Sequence, residues 1–241
     1  MSTEEGIQEL FLISHPWSLS LAKPIPATLF RMAALTRLYL GFWRFLATAG
    51  LACGAAVPSL RELGLCGVFV SSRDIDFVLF KSPVLEILCF ECIHMFPALR
   101  LRLVSQSLRC VQIHATHLES VTVVDAPRLE RLILRDNLDS KNRIKIGNAP
   151  ALCIFGYFEL EKDVLQIGNT VFKSRINPSA MVLTVKTLAL PLQFGVCNDA
   201  KMLPSFLRCF PNLETLHIYS KKTTETTGKL NLKFWQESGA I

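Results

Sequence analysis

The stretch SLRCVQIHATHLESVTVVDAPRLERLIL, residues 107–134, decides the fold. It holds two hexads of the form L-x-x-L-x-L, one with Leu108, Val111 and Ile113 and one with Leu129, Leu132 and Leu134. Between them LESVTVV (118–124) alternates apolar and polar residues, the period of an extended strand. Strand, corner, return strand, and then the first pattern again is one coil of a repeat. Such a coil cannot bury its apolar face alone and needs neighbours of the same kind.

Those neighbours are present on both sides. The hexad recurs as IQELFL from Ile7, LTRLYL from Leu35, LRELGL from Leu60 and LEILCF from Leu85. After the central pair it continues as LCIFGY from Leu152, VKTLAL from Val185 and LETLHI from Leu213. Successive starts lie 21 to 33 residues apart, around the roughly 20–29-residue period of leucine-rich repeats. A second mark fixes the register: Pro58, Pro83, Pro127, Pro150 and Pro211 each stand two residues before a first Leu. Proline locks φ and lacks a donor, so it suits the corner entering a strand and not its paired interior.

The reading is therefore an α/β leucine-rich-repeat solenoid of about nine irregular coils with a parallel concave sheet and mixed backs. RDIDFVLF after Ser72 places Ile75, Val78 and Leu79 on one helical face, with Ser72 as N-cap. PATLFRMAAL before Leu35 and PSFLRCF before Leu213 read as short helices opened by proline. LESVTVV, RIKIG (143–147) and VLQIG (164–168) predict extended returns in the middle. Residues 1–220 form the solenoid, and 221–241 a polar linker leading into a further region.

Leu positions of each hexad point inward, which leaves the x positions for the concave face. Phe11, Arg37, Tyr39, Arg61, Glu62, Arg109, Gln112, Glu130, Arg131, Glu214 and His217 are assigned to it as candidate partner-binding residues. Curved sheets of this kind serve as extended recognition surfaces.

Composition narrows the classes of function. Half of the chain is hydrophobic and 19% is charged, which excludes disorder. The apolar stretch Leu46–Val57 stops at Pro58, short of the roughly 20 residues of a spanning helix. MSTEEGIQEL lacks the basic and apolar parts of a signal peptide. Eight cysteines without a secretory signal point to reduced thiols in the cytoplasm or nucleus. Cys89 and Cys92 have CxxC spacing, but no second pair at zinc-ribbon spacing accompanies them.

The net charge of +6 allows an acidic partner, yet the basic residues are scattered and Lys221-Lys222 is the one tight cluster, so no nucleic-acid partner is expected. Phosphate-loop, GxSxG and HExxH motifs are absent, and His114 and His117 lack a third ligand. No catalytic residue, cofactor or metal is expected.

SPVLEIL, the 107–134 run and VKTLAL…FGV…KMLPSFLRCFPNLETLHI…GKLNLKFWQ together resemble plant F-box proteins with leucine-rich repeats, in particular the cereal group with a C-terminal FBD region. The resemblance implies a substrate receptor of an SCF-type ubiquitin ligase. In such a receptor an F-box grips a Skp-type adaptor and the repeats hold the protein to be ubiquitinated. Six residues precede the first hexad, too few for an F-box of about 40–50 residues, and LNLKFW supplies only the start of an FBD region. The expected function is thus protein binding by the repeats, with an unidentified protein substrate and without the adaptor contact. The alternative is a small-molecule-sensing receptor fragment, which requires the segments 169–184 and 192–201 to fold over the concave face.

Overall fold

A computed structural model describes residues 6–15, 22–45, 57–93, 98–135, 142–159, 163–168, 170–172, 181–192, 203–204 and 206–220. The tail from 221 on, and most of the two segments proposed to close over a small ligand, lie outside these residues.

In chain order the elements are β1 (Glu9–Ile13), β2 (Arg37–Gly41), β3 (Glu62–Cys66), α1 (Ser72–Lys81), β4 (Ile87–Glu91), β5 (Leu99–Val104), β6 (Cys110–His114) and β7 (Leu118–Asp125). They continue as β8 (Arg131–Arg135), β9 (Arg143–Asn148), β10 (Ile154–Gly156), β11 (Val164–Ile167), β12 (Thr170–Phe172), β13 (Thr187–Leu192) and β14 (Thr215–Ser220). Each hexad supplies one strand to a nine-stranded sheet ordered β1-β2-β3-β4-β6-β8-β10-β13-β14, in which every pairing is parallel. A second sheet, β12-β11-β9-β7-β5, backs the middle of the stack.

The prolines do what their position implies. Leu60, Leu85, Leu129, Leu152 and Leu213 each donate their N–H to the carbonyl three residues earlier, at 3.0–3.2 Å. Each link closes a turn with proline at its second position, where φ near −60° is required. At the other end of the strand, Phe42, Gly67, Cys92, Ala115 and Tyr157 have φ of 46–60°. Their N–H groups donate to the neighbouring coil, for example Gly67 to the Glu91 carbonyl at 2.9 Å and Tyr157 to Ala189 at 2.8 Å. A side chain in this left-handed region costs about 1 kcal/mol, and the hydrogen bond between coils offsets it.

Inward Leu positions stack into one continuous core. Leu35, Leu60, Leu85, Leu108, Leu129, Leu152 and Val185 are all buried, as are the fourth positions from Leu38 to Leu188. Complete burial of such a side chain contributes roughly 1.5–3 kcal/mol. LCIFGY departs from the pattern: its sixth residue, Tyr157, turns into the left-handed corner and is only half-buried. Phe158 takes the inward place and stacks on Phe206 at 5.5 Å. The two end strands are less covered, with Leu10, Leu12, Leu213 and Leu216 only partly buried.

The returns differ from expectation in three places. The cap of α1 is Ser71 and not Ser72: the Ser71 side chain accepts from the Asp74 N–H while the Asp74 carboxylate accepts from the Ser71 N–H. This reciprocal pair satisfies two helix-end donors, and the Ser72 hydroxyl instead accepts the Arg100 N–H of β5 at 3.0 Å. The first short helix is a five-residue 3-10 turn, Ala27–Arg31. Finally, LRLRLV is an outer strand that the repeat reading passed over, alternating buried and exposed side chains along its length.

A buried polar link joins two coils under the outer sheet. Asp163 accepts the Asn142 N–H at 3.1 Å, the Asn142 amide at 2.9 Å and the Glu159 N–H at 2.9 Å. Burial pushes its carboxyl up, against the pull of these donors.

Candidate functional site

Parallel pairing in one register lines up equivalent side chains on the face of the nine-stranded sheet that the hexad reading assigns to the concave side. One row runs Glu9, Arg37, Glu62, Ile87, Cys110, Arg131, Ile154, Thr187 and Thr215. The next runs Phe11, Tyr39, Gly64, Cys89, Gln112, Ile133, Gly156, Ala189 and His217. Phe11, Arg37, Tyr39, Glu62, Gln112, Arg131 and His217 therefore stand where the hexad places them.

Arg61, Arg109, Glu130 and Glu214 stand one position ahead of their strands, on the entry edge of the sheet. There Arg61, Arg109 and Glu130 border a charged depression of about 900 Å³ shared with Pro83 and Pro127.

Most of the charges are already paired between coils. Arg37 reaches Glu9 at 2.8 Å and Glu62 at 3.4 Å. Arg109 grips Glu130 with three hydrogen bonds of 2.8–3.1 Å, Lys186 meets Glu214 at 2.7 Å, and Arg61 pairs with Glu86. Exposed pairs of this kind contribute little each, roughly 0–1 kcal/mol. Their effect is to fix the side chains along the edge. Arg131 forms none of these pairs, and its Nε is shut from solvent without a hydrogen-bond partner.

An apolar hollow of about 310 Å³ opens among the first four strands, lined chiefly by Phe11, Ile13, Tyr39, Gly64, Cys66 and Cys89, with Glu91 at its rim. The rings of Phe11 and Tyr39 stack in parallel at 4.7 Å. Gly64 makes room for them: a Cβ there would lie 2.4 Å from Cδ1 of Tyr39. Phe11 and Ile13 are more than 60% exposed, an unusual cost for large apolar side chains unless something covers them.

The Tyr39 hydroxyl donates to the Glu62 carboxylate. Burial, then that hydrogen bond and the Glu62 charge, pushes the phenol up to about 12. Burial likewise pushes the Cys89 thiol up to about 11 and raises Cys66, the latter helped by the Glu91 charge. The hollow presents chiefly carbon and sulfur surface, the phenol's proton being already donated to Glu62. Among the described residues no group of three or more His, Cys, Asp and Glu could hold a metal ion. No described helix is long and apolar enough to cross a membrane.

Hexad reasoning missed Ile13, Cys66 and Glu91. They occupy the position just after the sixth, in a third row Ile13, Gly41, Cys66, Glu91, His114 and Arg135. Extending each hexad by one residue would have found them.

Against known proteins, the family model for the leucine-rich repeats of FBD-associated F-box protein At5g56370 matches residues 1–218. No curated protein and no solved structure gives a match.

Proposed function

The chain belongs to the leucine-rich-repeat family of FBD-associated F-box proteins, and from that premise we propose that its concave sheet holds a protein partner, as the substrate-recognition repeats of an SCF-type ubiquitin ligase would. The observation that carries this reading is the apolar hollow beside Phe11 and Tyr39, set in a parallel sheet beside Arg37, whose charge is already paired with Glu9 and Glu62. Affinity in such interfaces comes from desolvated anchors at the centre, while rim charges tune orientation. A partner's aromatic or aliphatic side chain fits the hollow. The paired edge charges need not be stripped of their partners when it docks. Protonated thiols and phenol on the same face favour binding over chemistry.

The hollow also sits at the lower end of small-ligand pocket volumes, about 300–1,000 Å³, which keeps a small apolar ligand as the second reading. This reading assigns no adaptor contact to the repeats.

A photo-crosslinking amino acid placed at Gln112 or His217 tests the face directly. In extract, these positions are expected to capture discrete polypeptides that the same probe at exposed Arg31, in the 3-10 turn outside both sheets, does not capture. Equal capture from Arg31 would remove the concave sheet as the binding surface.

A further inference from the structure

The outer sheet gathers charges that the linear sequence scatters. LRLRLV in β5 and RIKIGN in β9 expose Arg100, Arg102, Arg143 and Lys145, while β7 between them contributes Ser120 and Thr122. Register sets Arg100, Ser120 and Arg143 in one rung and Arg102, Thr122 and Lys145 in the next. Each rung is a cation, a hydroxyl and a cation. The two cations of a rung are two strand spacings apart, about 9.6 Å, and the rungs are about 6.7 Å apart along the strands.

Arg100 is met by Glu119 at 2.6 Å. Arg102, Arg143 and Lys145 form no ion pair with any described residue; burial raises the carboxyl of Asp76 in α1, and nearby Arg102 only partly offsets that rise. The patch is therefore net basic. Strands β5, β7, β9 and β11 contain no aromatic residue, so the patch offers no surface on which bases could stack. It borders exposed Val104 and Val124 at the far ends of the same strands.

We propose that this outer sheet is a second docking surface, for an extended acidic polypeptide segment with carboxylates at alternate positions. Alternate residues of an extended chain repeat every 6.6–6.8 Å or so, which matches the rung spacing. Each carboxylate would sit over a hydroxyl between two cations. The surface is separate from the concave face, so a partner there leaves the concave hollow open.

Fluorescence anisotropy of the full chain with a labelled peptide of five Glu-Ser repeats tests the idea. Three comparisons accompany it: the block isomer with five Glu then five Ser, an oligothymidylate of equal charge, and two double variants. Arg143→Glu with Lys145→Glu is expected to weaken the alternating peptide about tenfold or more. Lys23→Glu with Arg31→Glu makes the same change in net charge away from the sheet and should change affinity less than about twofold. Lys145→Gln alone should give an intermediate loss, and it covers the case in which the double reversal disturbs folding. Equal losses from both double variants, a block isomer bound as tightly as the alternating one, or tighter binding of the oligothymidylate would each overturn the proposal.

Discussion

Tyr39 shows how a single side chain shapes the concave face. Its ring fills the space left by the missing side chain of Gly64, stacks on Phe11, and its hydroxyl binds Glu62. The glycine of LRELGL is there for clearance, since Gly64 is not among the residues of positive φ. The phenol's ordinary value near 10 rises to about 12 in the folded protein. A raised value means that the folded state binds the proton more tightly than the unfolded one. Its contribution to stability is complete below about pH 10 and is lost as pH climbs through 12. Denaturant titrations between pH 10 and 12 should therefore show a steeper loss of stability for the wild type than for Tyr39→Phe. Parallel slopes would show that Tyr39 carries no such linkage.

At this scale Tyr39, Gln112 and Arg131 stand in the sheet rows that the hexad spacing gives them. The pairing of the charges was not legible, because Arg37, Arg109 and Lys186 find their partners 21 to 28 residues away along the chain. Spacing along one strand carries no information about which sign stands on the next.

At the scale of elements, helix α1 and outer strand β5 mark the limits of periodicity. The helical face of Ile75, Val78 and Leu79 was plain in the sequence and is buried. The cap was displaced by one residue because SerSer offers two hydroxyls, and only the Asp74 carboxylate, three residues after Ser71, selects between them. Ser71→Ala is expected to lower unfolding free energy by about 1 kcal/mol. Ser72→Ala, which loses one exposed hydrogen bond from Arg100, should cost about half as much or less. Urea unfolding of both variants measures this, and a larger loss from Ser72→Ala would reverse the assignment of the cap. β5 was passed over although LRLRLV alternates as strictly as LESVTVV, and the rule that reads the one as an extended return reads the other. The two basic residues it exposes are half of the outer patch, so the same omission made the Lys and Arg residues look dispersed.

Taken whole, the molecule repeats two devices: in five coils a proline turn closes the strand's entry within its own coil, and in five a left-handed residue at the exit donates its N–H to the neighbouring coil. The first relation could be read from five prolines. The second could not, because only one of the five left-handed residues, Gly67, is a glycine. The core follows from the stack, and so does the concave face, since both depend on equivalent residues standing in register. Everything else in the fold rests on that register. Phe11 and Gln112 are four strand steps apart in the nine-stranded sheet, and Gln112 and His217 are four further steps apart. Four steps correspond to about 19 Å. Spin labels attached by non-cysteine chemistry at these two pairs, read by pulsed dipolar spectroscopy, test it most directly. A single stack in register gives narrow distributions of nearly equal distance, close to 20 Å once the label arms are allowed for. Broad distributions, or one pair separated by more than about 35 Å, would contradict a single stack in register.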